Sequence, residues 1–341
     1  TLRHRQLLPK HLRSVVNETH ISQVLADKLW IPMDKISESE IKKLAVLDTY
    51  LNTKILWQEE AVTQIVKAVR RNRLSALERN KPIGSFLFLG PSGVGKTFLA
   101  KLLAKEYFGS EKSLIRVDMS EYMESYSVSK LIGSAPWYVW YDEWGMLTEQ
   151  VRRNPYSVVL FDEIEKASKD VLNIMLQILD EWHLKDNKWR RIDFKNTIII
   201  LTSNIWSDNF GKKQVKIGFQ SDSWTSRKEI SESDFTEIKE KVLADVKQMI
   251  PAELLNRMSA QIVFHPLTKS LMMDIFQSQL KEFLWHWSQK HQGIRLPKYS
   301  SKKIASVIDD IYDPAYGARV IERYITDTVE SELIDQLLAN A

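Results

Sequence analysis

The chain has 341 residues, 44% of them hydrophobic, with seven histidines and no cysteine. That composition suits a globular protein of two packed units; it excludes disulfides and thiolate metal sites, and the histidines show no paired ligand spacing. A net charge of +4 on 48 basic and 44 acidic residues leaves no nucleic-acid footprint.

Residues 1 to about 45 are polar and of mixed charge, helical in parts, and are expected to form a lead-in or linker. The start Thr1-Leu2-Arg3-His4 has no signal-peptide core, and no apolar run approaches the ~18 residues of a membrane span. The expectation is a soluble piece of something longer, with no membrane partner. From Thr53 to Arg257 helical spacing alternates with short β-branched runs at Phe86–Leu89, Leu114–Val117, Val158–Phe161 and Thr197–Leu201. The alternation predicts an α/β unit over residues 46–260, a parallel sheet covered by helices on both faces. After His265-Pro266 the pattern is mainly helical, broken at Gly293–Pro297 where one short strand would fit, and residues 261–341 are expected to form a smaller helical subdomain. The basic runs Lys67–Arg73 and Arg190-Arg191 are read as solvated faces.

The octapeptide Gly90-Pro91-Ser92-Gly93-Val94-Gly95-Lys96-Thr97 follows a buried strand and precedes a helical pattern, the order a phosphate-cradling loop requires. Its glycines let backbone N–H groups turn toward phosphate oxygens at a helix N-terminus. Lys96 supplies a point charge to the outer phosphates, and the Thr97 hydroxyl is a magnesium ligand. ATP and Mg2+ are the expected cofactors.

Val158-Val159-Leu160-Phe161-Asp162-Glu163 is an apolar strand ending in two acids, and ligands of open α/β sheets lie at the carboxyl ends of strands. Asp162 is positioned to hold the magnesium, through water, and Glu163 to polarise the water that attacks the γ-phosphate. A further strand ends in Thr202-Ser203-Asn204, so the Asn204 amide can orient the same water.

Longer segments carry a resemblance. Glu121-Tyr122-Met123-Glu124, Leu131-Ile132-Gly133, Val151–Ser157, Phe161–Ala167 and Thr202-Ser203-Asn204 resemble the second AAA+ module of the Clp unfoldases, and the similarity extends from Ile31-Pro32 to Tyr312–Arg319. The resemblance implies a AAA+ P-loop NTPase with a helical C-terminal lid. It also implies a homo-hexamer that hydrolyses ATP at subunit interfaces and pulls unfolded or tagged proteins, with or without adaptors, through a central channel. Under it, Arg257 resembles the arginine finger that reaches a neighbour's ATP, and Arg319 the second sensor of the lid. Ile55 and Leu56 fall where main chain frames the adenine, and Tyr138-Val139 aligns with the aromatic-aliphatic pore loop. Ile217-Gly218-Phe219, after Lys212, Lys213 and Lys216, matches the tripeptide that docks a ClpP-like peptidase. A ClpC-like or ClpA-like subunit of the cytoplasm or an organelle stroma or matrix follows. A peptidase-independent ClpB-like disaggregase, or a ring subunit that binds nucleotide without translocating, remains the alternative.

The pattern is broken at Trp30, Trp57, Trp137, Trp140, Trp144, Trp182, Trp189 and Trp206, where the family carries glycine. Two accounts stand open. UGA codons, one base from the glycine codon GGA, are read as tryptophan in some codes and glycine in another, which would make these eight residues glycine in the cell. Real tryptophans would instead mean a degenerate ring with an obstructed pore. Trp224, Trp285 and Trp287 are not assigned by either.

Overall fold

The computed structural model describes residues 38–55, 58–74, 81–133, 145–205, 232–291, 296–297, 299–313 and 316–339. Helix α1 (Glu38–Lys54) runs through residue 45 and buries Leu44, Leu47 and Leu51, one stripe at helical spacing. Helix α2 (Glu59–Arg73) opens on Glu59 and Glu60 and closes on Arg70, Arg71 and Arg73, matching its dipole at both ends. Within the basic run, Arg70 is structural. Its guanidinium donates to the α1 carbonyls of Leu44 (2.7 Å) and Ala45 (2.8 Å) and pairs with Asp48, fastening α1 to α2.

In chain order there follow β1 (Gly84–Leu89), α3 (Lys96–Phe108), β2 (Leu114–Asp118), α4 (Val128–Ile132), α5 (Met146–Arg153), β3 (Val158–Asp162) and α6 (Lys169–Glu181). A hairpin of β4 (His183–Lys185) and β5 (Arg191–Asp193) leads to β6 (Ile198–Ser203). Then come α7 (Glu232–Met249), α8 (Ala252–Arg257) and β7 (Ala260–Val263). The C-terminal part consists of α9 (Lys269–Lys290), α10 (Ser301–Ile311), α11 (Arg319–Tyr324), a π-helical turn (Ile325–Glu330) and α12 (Ser331–Ala339).

The five longer strands form one parallel sheet in the order β2-β3-β6-β1-β7. Alternate residues feed two cores. Phe86, Phe88, Leu160 and Ile200 face the layer of α1, α2 and α3, whereas Leu87, Leu89, Phe161 and Leu201 face that of α5, α6, α7 and α8. Both faces being covered, the central strands β1, β3 and β6 are buried along their whole length, which is why they were visible as apolar runs; the edge strand β2 was visible through its buried Ile115 and Val117, which alternate with the exposed Arg116. The edge strand β7 and the hairpin had no such run. Ala260-Gln261 is only half-buried and pairs on one side alone, with Phe86-Leu87. The strand considered at Gly293–Pro297 falls largely outside the described residues, and the two described, Leu296 and Pro297, are not in a strand.

The C-terminal helices join the first of these cores through Leu271, Met272, Phe276, Ile304, Ile308 and Ile321. Hydroxyls start two of them: Thr268 accepts from the Leu271 N–H (3.3 Å) and Ser300 from that of Lys303 (3.3 Å). Among the described residues no helix is long and apolar enough to cross a membrane.

Candidate functional site

The phosphate loop lies between the end of β1 and the first turn of α3, so its amides head a helix. Gly95 has φ 101°, a left-handed cap before Lys96 that only glycine adopts without strain. Gly93 has φ 72° and touches the C-terminal part: a Cβ there would lie 2.2 Å from the Tyr316 carbonyl oxygen. The Ala318 N–H donates to the Gly93 carbonyl at 3.0 Å, so the turn before α11 rests directly on the loop. That contact brings Arg319, the exposed first residue of α11, close enough to lower the Lys96 pKa by repulsion.

Lys96 is buried and folds back over its own loop. Its Nζ donates to the carbonyls of Gly90 (2.6 Å) and Pro91 (2.8 Å) and to Asn204 Oδ1 (2.9 Å). Burial pulls its pKa down to about 8, against the opposing pull of Asp162, Glu165 and Glu163. Thr97 is half-buried one residue further along α3, Val94 is buried beneath the loop, and Ser92 is half-buried.

The two acids end β3 as expected, and β6 holds both. Thr202 Oγ1 donates to Asp162 Oδ1 and accepts from the Glu163 N–H (3.2 Å). Arg116 from β2 donates to Asp162 Oδ2 at 2.7 Å. Glu163 is left-handed, φ 59°, an uncommon state for a residue with a Cβ, and it turns the carboxylate away from the strand. Asn204 Nδ2 donates to Glu163 Oε1 at 3.2 Å, while Lys166 pairs with Oε2. Asn204 therefore joins the phosphate-loop lysine to Glu163 through one amide group. Its own N–H donates to Glu165 Oε1 (3.0 Å).

Arg257 stands elsewhere. Its backbone carbonyl accepts from Ser85 Oγ at the start of β1 (2.9 Å). The loop begins after the strand's end, five residues or about 17 Å further along. The exposed guanidinium pairs with Asp180 of α6, which raises the Arg257 pKa.

Residues 81–261 match the family described as AAA domain (Cdc48 subfamily). The chain belongs to that family. Residues 267–341 of this AAA protein match the C-terminal, D2-small domain of ClpB protein. It is 44% identical over 325 residues to the chaperone protein ClpC2, chloroplastic, of Oryza sativa, covering 95% of this chain and 34% of that one. Identity is 45% over 326 residues to the ATP-dependent Clp protease ATP-binding subunit ClpA homolog of Guillardia theta, 96% of this chain and 39% of the relative. The AAA protein thus spans about a third of the length of the curated relatives it matches. Hsp104 in a closed-state reconstruction with ATPyS and FITC casein is 36% identical with a TM-score of 0.78, over 96% of this chain and 54% of that one. It is a Clp-type AAA+ ATPase module with the helical C-terminal subdomain of that type.

Ile55 is buried at the end of α1, and Leu56 lies outside the described residues, as do Tyr138, Val139, Ile217, Gly218 and Phe219. Of the eight tryptophans expected to stand where the family carries glycine, only Trp182 and Trp189 are described. Several residues at the site carried no role in the sequence: Arg116, Thr202, Glu165, Lys166 and Gln58. Gln58, buried just before α2, bonds both the N–H and the carbonyl of His265 (3.0 Å each). A polar residue inside an apolar strand, such as Thr202, is the one signal that pointed to any of them.

Proposed function

We propose that this AAA module hydrolyses ATP within a homo-hexameric ring and uses the energy to unfold proteins and thread them toward a ClpP-like peptidase. The observation that carries it is the single amide of Asn204 linking Lys96, a phosphate ligand, to Glu163, the carboxylate next to the reacting water. A γ-phosphate beside Lys96 competes with Asn204 for that ammonium. Freed of Lys96, the amide is available to the water and Glu163 is the base that accepts its proton. Arg319 faces the loop from the lid and neutralises phosphate charge there.

Thr97 and Asp162 would hold Mg2+. One hydroxyl and one buried carboxylate are the hard oxygen donors it takes, phosphates and waters supplying the rest, and among the described residues no cluster of three or more acids and histidines competes for it. When bound, the ion neutralises charge on the transferred phosphoryl group.

The position of Arg257 at the far end of β1 supports a ring, because a finger that misses its own nucleotide fits one presented by a neighbour. The unfoldase reading draws on relatives named Clp protease ATP-binding subunits, and on Tyr138-Val139 and Ile217-Gly218-Phe219 as pore and docking loops. Substrates are unfolded or tagged proteins, with adaptors as further partners. The two rice ClpC relatives are chloroplastic, and a stroma, matrix or cytoplasm suits the chain equally. A peptidase-independent disaggregase is the second reading, favoured by the Hsp104 likeness and by the match to a ClpB small domain.

Steady-state ATPase assays test the core of the proposal. Glu163→Gln should abolish turnover while retaining nucleotide. Arg257→Ala should do the same, and mixing the two variants should restore a fraction of the rate through mixed interfaces. Restoration absent at every mixing ratio refutes hydrolysis across an interface. Degradation of a tagged substrate with a ClpP-like peptidase, lost on Phe219→Ala while ATPase remains, separates the two readings.

A further inference from the structure

Among the described residues three other than glycine have left-handed backbone: Glu163, Trp182 and Trp189. Glu163 sits among the catalytic groups, where strain has a use. The two tryptophans do not, and their positions have a common character.

Trp182 directly follows α6 with φ 52° and ψ 14°. That is the helix-ending position at which a left-handed residue, usually glycine, turns the chain away. It is pinned there, because the Phe194 N–H donates to its carbonyl at 2.8 Å. Trp189 closes the β4–β5 hairpin with φ 59°. Its N–H donates to the Asp186 carbonyl (3.0 Å), and the Asp186 N–H donates to the carbonyl of Arg190 (3.0 Å). A tight turn followed by one left-handed residue is the bulged hairpin whose last loop position takes glycine.

Neither indole enters a hydrophobic core. Trp189 is 76% exposed, with Lys185 Nζ 5.9 Å from its ring. Trp182 is half-buried against polar neighbours, Arg191 and Lys195 over its face at 4.2 and 3.8 Å and the His183 ring 5.4 Å away, and it belongs to neither hydrophobic core. Trp287 is the contrast: it lies within α9 and packs against the first core. Left-handed geometry costs a residue with a Cβ a factor of roughly 5–30 in the folding equilibrium constant per site, a cost glycine does not bear. Composition agrees. The chain has 11 glycines and 11 tryptophans, whereas a chain of this length at ordinary usage carries about 24 glycines.

We propose that residues 182 and 189 are glycines in the protein the cell makes, encoded by UGA codons in an organism that decodes UGA as glycine. Each turn then has the residue its backbone demands, and a first-base change from GGA explains how. Trp287, which packs its indole, is a UGG-encoded tryptophan.

Sequencing the gene is the first test. UGA at 182 and 189 with UGG at 287 is expected, and UGG at 182 or 189 overturns the proposal there. Peptide mapping of the protein purified from its source is the second: fragments covering 182 and 189 must be lighter by the difference between an indolylmethyl group and a hydrogen, and tryptophan masses overturn the assignment. In recoded protein, Trp182→Gly and Trp189→Gly should each raise Tm by roughly 2–4 °C. Trp182→Ala and Trp189→Ala retain a Cβ and should gain much less. Equal gains for glycine and alanine would show that the indole, not the backbone, was at fault, against the proposal.

Discussion

Thr202→Val is a near-isosteric change at a buried position. The hydroxyl now serves two partners at once, donating to Asp162 Oδ1 and accepting from the Glu163 N–H at 3.2 Å. Valine leaves both without a bond. An unsatisfied buried partner costs about 1–3 kcal/mol, and Asp162 keeps Arg116 on its other oxygen, so the sum is about 2–4 kcal/mol. Against a total stability of ~5–15 kcal/mol, that should lower Tm by roughly 3–6 °C. Glu163 loses the bond that anchors its left-handed backbone, so kcat should fall about tenfold or more, since about 1.4 kcal/mol of misplacement suffices for that. Lys96 shares no hydrogen bond with Thr202, so affinity for nucleotide in the absence of Mg2+ should stay near that of the parent. Thermal denaturation, steady-state ATPase and fluorescent-nucleotide titration read the three quantities, and Thr202→Ser should recover the first two. A valine variant that melts and turns over like the parent would refute the bridging role.

Further outcomes follow from the same geometry. Lys96, with its pKa pulled down to about 8 by burial, regains its proton when phosphates arrive. Nucleotide affinity should therefore be flat below about pH 8 and weaken above it, with proton uptake visible by calorimetry in buffers of different ionisation enthalpy; Lys96→Met should remove both effects. The sign for folding is opposite. Between about 8 and the ordinary lysine value the unfolded chain holds a proton the native one has released, so this residue makes stability rise with pH there. Gly93→Ala places a Cβ against the Tyr316 carbonyl at φ 72° and should loosen the lid from the loop, weakening nucleotide binding more than it lowers Tm. Asp180→Ala frees the Arg257 guanidinium and should leave monomer stability nearly unchanged, the pair being exposed, while raising ATPase at limiting protein concentration. An unchanged concentration dependence would count against Asp180 as a competitor for the finger.

The phosphate loop was legible in the chain because everything it needs is contiguous: a strand to deliver it, three glycines to turn amides inward, and a helix to receive the charge. The strand acids were legible for a similar reason, as polar residues ending an apolar run have only the sheet's carboxyl edge to occupy. Central strands announced themselves through burial on both faces, whereas β7, half-exposed and paired on one side, left no pattern. Tryptophan at 182 and 189 stood out beside the family pattern, but its conflict with the backbone needed φ angles of 52° and 59°.

What periodicity does not carry is the order of strands. Placing β6 between β3 and β1 is what brings Thr202 against Asp162 and sets Asn204 between Glu163 and Lys96, 108 residues away. The turn at Tyr316–Ala318 meets Gly93, and Gln58 meets His265 across 207 residues, through contacts that exist only once the helical part has packed on the first core. Arg257 is kept from the phosphate loop by the length of β1, a distance no local motif encodes. Local chemistry thus names the nucleotide and its acids, since backbone amides and adjacent side chains act over a few residues. Long-range packing assigns those acids their partners and sets the arginine at the other end of β1, since hydrogen bonds form between groups the sheet order makes adjacent.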